Sequence, residues 1–147
     1  SKDIYMFNPS RDQVRQFFRD AWQKHRDRLP LVGAEASVID LILRHPEYHA
    51  LIESDTAITE EYTPERGETN PFLHLSMHLS ISEQCSIDQP RGIRQAVELL
   101  AASRGSLHEA HHEVMECLGE MIWKSQRDGA QPDTGAYVEC VRRRSAL

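Results

Sequence analysis

Long apolar runs are absent from this chain of 147 residues, of which 39% are hydrophobic. A helix needs about 20 consecutive apolar residues to cross a bilayer, and no stretch approaches that length. The beginning of the chain, SKDIYMFNPSRDQ, also lacks the apolar run after a basic region that marks a signal peptide. The sequence therefore predicts a soluble protein that has no cleaved leader and does not bind a membrane.

Cysteine is scarce, and the three residues Cys85, Cys117 and Cys140 form no CxxC pair. Disulfide frameworks and cysteine-based zinc sites use even or closely spaced sets. An odd, sparse set instead indicates reduced thiols in a cytoplasmic protein. We also expect Cys117 to be a buried, inert thiol, because only His78 or His112 could activate it.

Basic charge is also in short supply. Asp and Glu outnumber Lys and Arg by 23 to 17, which gives a net charge of −6 with His neutral. A nucleic-acid interface requires a basic face, and the aromatic residues here are spread over apolar positions rather than grouped for base stacking. Gly-rich phosphate loops and Ser/His/Asp motifs are missing as well. These absences argue against nucleic-acid binding. The partners that we still expect are a second copy of the chain, in a homodimer, or an unidentified protein.

Helical periodicity dominates what is present. The length predicts one domain over residues 1–147, with an acidic loop at about 54–69. Ser10 or Asp12 can cap the first helix, and Pro46 either kinks the second segment or opens a short new helix. We predict an all-α fold of five or six helices, an antiparallel bundle with a peripheral C-terminal helix. The predicted segments are 12–28, 35–44 followed by 46–53, 71–85, 90–103, 107–127 and 134–143.

Histidine is the one compositional oddity, because seven of the eight histidines fall in three short clusters. Each cluster contains a pair four residues apart, and residues at that spacing are neighbours on a helix surface, with Cβ atoms about 5–6 Å apart. Two histidines so placed can bind one metal ion from a single helix. The pairs are His45 and His49, His74 and His78, and His108 and His112.

The segment LHEAHHEVMECLGEMIWK extends the last pair into a stripe of four potential ligands, while His111 is predicted to point away from it. Helical bundles build metal sites from inward side chains on facing helices. Mixed imidazole and carboxylate ligation suits zinc, iron, manganese or nickel, and it should weaken as the pH falls through about 6.5. The expected ligands are His74, His78, His112 and Glu116, followed by His49 and His108, with His45 and Glu120 outermost.

Two other interpretations stay open, and with them the question of whether the protein is an enzyme. HEAHH matches the zinc-hydrolase pattern H-E-x-x-H, in which His108 and His112 would bind zinc and Glu109 would activate water. That chemistry needs a third ligand, and no predicted strand could hold a peptide substrate. A ferritin-like di-iron site needs two Glu-x-x-His units, and only Glu109 with His112 fits. Alternatively, the histidines are hydrogen-bonded core residues or caps of a metal-free interaction module.

Five segments of the chain can be compared with known families: YMFNPSRDQVRQFF, HPEYH, TNPFLHLSMHLSISEQ, HEAHHEVMECLGEMIW and QPDTGAYVECVRR. Together these segments resemble the uncharacterised bacterial family called domain of unknown function 1841. They span nearly the whole chain, and NPFLH and MECL are the most distinctive strings within them. The resemblance implies a compact bacterial cytosolic protein and brings no activity, substrate or site residue with it.

Overall fold

A computed structural model describes residues 11–57 and 70–147 of the chain. Over those residues it contains seven α-helices, one 3-10 turn and no strand, so the predicted all-α class is confirmed. None of these helices combines the length and apolar character needed to cross a bilayer. The predicted cap Ser10 and most of the predicted loop 54–69 lie outside the described residues. The helices are α1 (Arg11–Arg26), α2 (Glu35–Leu43), α3 (His49–Glu53), α4 (Pro71–Ile87), α5 (Ile93–Arg104), α6 (Leu107–Asp128) and α7 (Thr134–Ser145).

Pro46 divides the second predicted segment. It opens the 3-10 turn Pro46–Tyr48, which leads directly into α3. The residue before a proline is sterically disfavoured in the helical region. His45 accordingly has φ −127° and ψ 64°, and α2 ends just before it. Counting the short helix α3 separately brings the total in the described residues to seven rather than five or six.

The chain forms two compact units, 1–76 and 77–147, and the division falls inside α4. We describe each unit by itself, and the expectation of a single domain stays a prediction. In the first unit, apolar side chains at helical spacing on α1 and α2 are buried. Apolar side chains of α3, of the residues just after it and of the first part of α4 are buried as well. The most buried of these are Phe18, Ala21, Val38, Ile42, Ile52, Ala57 and Leu75.

The charged residues Arg15 and Glu35 are also buried in the first unit. The side chain of Arg15 donates a hydrogen bond from Nη1 to the carbonyl oxygen of Ala57 at 3.2 Å. Its guanidinium carbon lies 5.0 Å from the centre of the Phe72 ring. A buried guanidinium is tolerated when it is hydrogen-bonded and lies over an aromatic face.

The second unit is built around α5, α6 and α7, which pack against one another in pairs. The last helix was predicted to be peripheral, but Tyr137, Val138 and Val141 place one of its faces in the core. These three residues recur at helical spacing, so one face of the helix is buried while most of its other residues are exposed. The other core residues are Ile81 from α4, Ile93, Ala96, Val97 and Leu100 from α5, and Ala110, Val114, Met115, Cys117 and Leu118 from α6.

Candidate metal centre

Helix α6 carries three of the histidines in its first two turns. Its start is fixed by Ser106, whose hydroxyl oxygen accepts a hydrogen bond from the backbone N–H of Glu109 at 3.1 Å. Its end is fixed by Gly129, which has φ 60° and closes the helix in the left-handed conformation. The capped start holds His108, His111 and His112 in defined positions on the helix.

These rings gather around His78, which α4 places in the second unit with none of its surface exposed. The centre of the His78 ring lies 4.8 Å from that of His108 and 5.1 Å from that of His112. The His108 and His112 ring centres are 4.5 Å apart. One potential ligand atom from each of the three residues lies within 4.8 Å of the others. His78 is buried, His108 is half-buried and His112 is exposed, so the cluster runs from the interior of the unit to its surface.

His111 belongs to this cluster, and the prediction that it points away from it is wrong. Its side chain is only 7% exposed, and its Nδ1 lies 3.3 Å from Nδ1 of His78 in a hydrogen bond. A residue advances about 100° around a helix, which puts His111 only about 20° from Leu118 and about 60° from Val114. Both of these residues are in the core. The apolar face of α6, rather than the spacing of the histidines, is therefore the signal that locates His111.

The two carboxylates of the predicted stripe lie in surface ion pairs. Glu116 accepts a hydrogen bond from Arg144 at 2.6 Å with 63% of its side chain exposed. Glu120 pairs with Lys124 at 3.0 Å, and both side chains are about half exposed. Each step of four residues turns about 40° around a helix, so the stripe turns about 120° between His108 and Glu120. The far end of the stripe has therefore left the buried face of α6.

Glu109, the base that a zinc hydrolase would need, is exposed, and its negative charge interacts with the guanidinium of Arg104. Arg104 forms a two-point ion pair with Glu113, in which Nη2 and Oε1 are 3.1 Å apart. This hydrogen bonding holds the pKa of Glu113 below its usual range and raises the pKa of Arg104. The charge of Glu109 makes a smaller contribution to raising the pKa of Arg104. The main partner of that guanidinium is therefore Glu113, and Glu109 contributes only its charge.

The remaining candidate ligands, His45, His49 and His74, belong to the first unit. His45 is buried, its ring centre lies 5.0 Å from that of His74, and its Nδ1 donates to the carbonyl oxygen four residues earlier at 2.8 Å. His49 donates from Nε2 to the carbonyl oxygen of Ile42 at 2.8 Å, and its ring centre lies 4.5 Å from that of Trp22. A carbonyl oxygen only accepts, so these contacts fix which ring nitrogen of His45 and His49 carries the proton.

The cysteines differ from the sequence-based expectation. Cys117 on α6 and Cys140 on α7 form a disulfide, whereas Cys85 is free. The expectation of reduced thiols is wrong for Cys117 and Cys140, because folding brings these two cysteines, 23 positions apart in sequence, onto facing helices. The expectation that Cys117 is an inert thiol is wrong for the same reason. Burial, with a smaller effect from the charge of Glu98, raises the pKa of the Cys85 thiol. The cysteine count therefore gives no argument for a reducing compartment.

The chain matches a family model, but neither a curated protein nor a solved structure matches it at a significant level. A family model described as a domain of unknown function, DUF1841, matches residues 10–143. That span extends into α7. It includes the four clustered histidines of the second unit, which are His78, His108, His111 and His112. The chain therefore belongs to the DUF1841 family.

Proposed function

We propose that the second unit binds one transition-metal ion through His78, His108 and His112. The observation that supports the proposal is the convergence of three ring nitrogens, from two helices, within 4.8 Å of one another. Nitrogen ligands lie about 2.0–2.1 Å from zinc, so two of them around a tetrahedral ion are about 3.4 Å apart. Side-chain adjustments of about 1.4 Å or less would close the three nitrogens onto one ion.

The chemistry of the donors narrows the choice of metal. All three side chains are imidazoles, while the carboxylates of Glu116 and Glu120 are engaged by Arg144 and Lys124. Imidazole suits zinc, nickel and iron, whereas manganese favours carboxylate, carbonyl and water ligands. The donor set therefore favours zinc, nickel or iron over manganese. Three neutral ligands also leave the positive charge of the ion uncompensated.

Elemental analysis of protein purified without an affinity tag, combined with competition against a chromophoric chelator, tests the proposal. We expect about one equivalent of metal in the wild type. A His108→Ala/His112→Ala double variant should bind more than about 100-fold more weakly, because even the loss of an outer-shell partner commonly costs 10–100-fold. Neither residue is fully buried, so the double variant should fold, which circular dichroism can verify.

A His25→Ala variant is the matched control. His25 lies on α1 in the first unit, where its ring stacks on Trp22 with the centres 5.4 Å apart. The His25→Ala variant also removes an imidazole but leaves the proposed ligands in place, so the metal content of this variant should equal that of the wild type. Substoichiometric metal in the wild type, or full metal in the double variant, would contradict the proposal. In that case the histidines would be core and surface residues of a metal-free interaction module.

We do not extend the proposal to hydrolysis through HEAHH, because Glu109 is exposed and its charge interacts with the guanidinium of Arg104. We expect Glu109→Gln to leave the metal content unchanged, since this residue is not among the proposed ligands. If the metal-loaded wild type hydrolyses model peptide or ester substrates and Glu109→Gln abolishes that activity, the hydrolase interpretation replaces ours.

A further inference from the structure

The hydrogen bond between His78 and His111 suggests a second role within the same cluster. Both rings are buried, with 0% and 7% of their surface exposed, and their Nδ1 atoms are 3.3 Å apart. The ring centres are 5.5 Å apart and the planes differ by 26°, so the rings also stack. A buried contact between two identical groups forces one nitrogen to donate and the other to accept.

We infer that His111 is a positioning residue, which fixes His78 with its proton on Nδ1 and presents Nε2 as the metal-binding atom. A neutral imidazole has one N–H and one lone pair, and a metal ion needs the lone pair. If Nδ1 of His78 keeps the hydrogen bond as donor, its Nε2 carries the lone pair. Nδ1 of His111 then accepts, so the proton of His111 is on Nε2. Partners of this kind commonly fix the tautomer and orientation of metal-binding histidines.

This inference rests on the proposed metal site, and cobalt(II) substitution can test the two separately. We expect His111→Leu to lower cobalt affinity about 10–100-fold and to change the visible absorption of the bound ion, because His78 is no longer oriented. His111→Asn should restore most of the affinity and the wild-type spectrum. The amide oxygen of asparagine occupies nearly the same place as Nδ1 of histidine and can accept the hydrogen bond from His78.

A Val114→Ala variant controls for simple destabilisation of α6. Val114 is fully buried in the same core, and its truncation leaves the pair of imidazoles intact. It should lower the unfolding temperature while leaving cobalt affinity and the spectrum unchanged. If Val114→Ala weakens cobalt binding as much as His111→Leu does, His111 acts through packing alone and the inference is overturned.

Nitrogen-15 NMR of the zinc-loaded wild type gives a test that needs no variant. We expect the His78 ring to carry its proton on Nδ1 and zinc on Nε2, with the proton of His111 on Nε2. Zinc bound through Nδ1 of His78 would overturn the inference and leave the metal site standing. Wild-type protein that binds neither cobalt nor zinc would refute the proposed function itself, and this inference with it.

Discussion

Reduction of the Cys117–Cys140 disulfide is expected to destabilise the second unit by about 3 kcal/mol. The bond joins α6 to α7 across 23 positions of sequence. In the chain-entropy description, cross-linking a loop of that length removes about 3 kcal/mol worth of conformational freedom from the unfolded chain. For a chain of this size, each kcal/mol changes the unfolding temperature by roughly 2–4 °C, so we expect reduction to lower it by roughly 6–12 °C.

The assay begins with protein purified under oxidising conditions. Alkylation in denaturant without a reductant should modify only Cys85, and alkylation after reduction should modify all three cysteines, as counted by mass spectrometry. Thermal unfolding is then followed by circular dichroism with and without a reductant that does not bind metal. Any metal is removed with a chelator beforehand, so that a change in the unfolding temperature reports on the disulfide and not on metal binding.

Two serine variants complete the experiment. Cys140→Ser should unfold at the temperature of the reduced wild type, and added reductant should not change that temperature. Cys85→Ser is the matched control, because Cys85 is outside the disulfide, and reductant should lower its unfolding temperature as in the wild type. Modification of all three cysteines before reduction would show that the disulfide does not form. An unfolding temperature that reduction leaves unchanged would refute the entropic argument.

Two further predictions concern polar contacts of the second unit. Tyr137 is buried, which raises the pKa of its hydroxyl group, and that hydroxyl donates a hydrogen bond to Gln84 at 2.6 Å. Tyr137→Phe should therefore cost about 1 kcal/mol of unfolding free energy in urea titrations, and a stability equal to the wild type would contradict this. Arg104 lowers the pKa of Glu113 in the folded protein below its value in the unfolded chain, which is about 4.3. The ionised carboxylate therefore stabilises the fold at pH values above about 4.3, and this stabilisation is lost as the pH falls through the lowered pKa of the folded state. The stability difference between wild type and Glu113→Gln should shrink in acid, and a difference independent of pH would refute that assignment.

Helix boundaries were largely predictable because they depend on local chemistry. Asn70 directly precedes Pro71 and is a residue type that favours helix starts, and its side-chain oxygen accepts hydrogen bonds from the N–H groups of Phe72 and Leu73, both at 3.1 Å. The segment predicted as 107–127 is observed as Leu107–Asp128. Caps and apolar periodicity act within a few residues, so a single sequence contains the information that sets them.

The disulfide and the partner of each charged side chain were not predictable in the same way. Cys117 and Cys140 are on different helices, and no local pattern indicates that α6 and α7 face each other at those positions. Glu116 looked like a ligand because it continues the spacing of the histidines, but its partner Arg144 is 28 positions away in the chain. Contacts between distant residues depend on how helices pack, which one sequence specifies only indirectly.

The histidines of α6 show why spacing alone misleads about a site. A spacing of four residues turns steadily around the helix, whereas the buried face is defined by the apolar positions. His111 lies on that face and His112 lies at its exposed edge, although the two are adjacent in sequence. Burying an imidazole without hydrogen bonds costs about 1–3 kcal/mol, and the His78–His111 contact offsets part of that cost. A packing role accounts for that pair, but it gives no reason for the further convergence of ring nitrogens from His108 and His112, and this convergence is what the proposed metal site would explain.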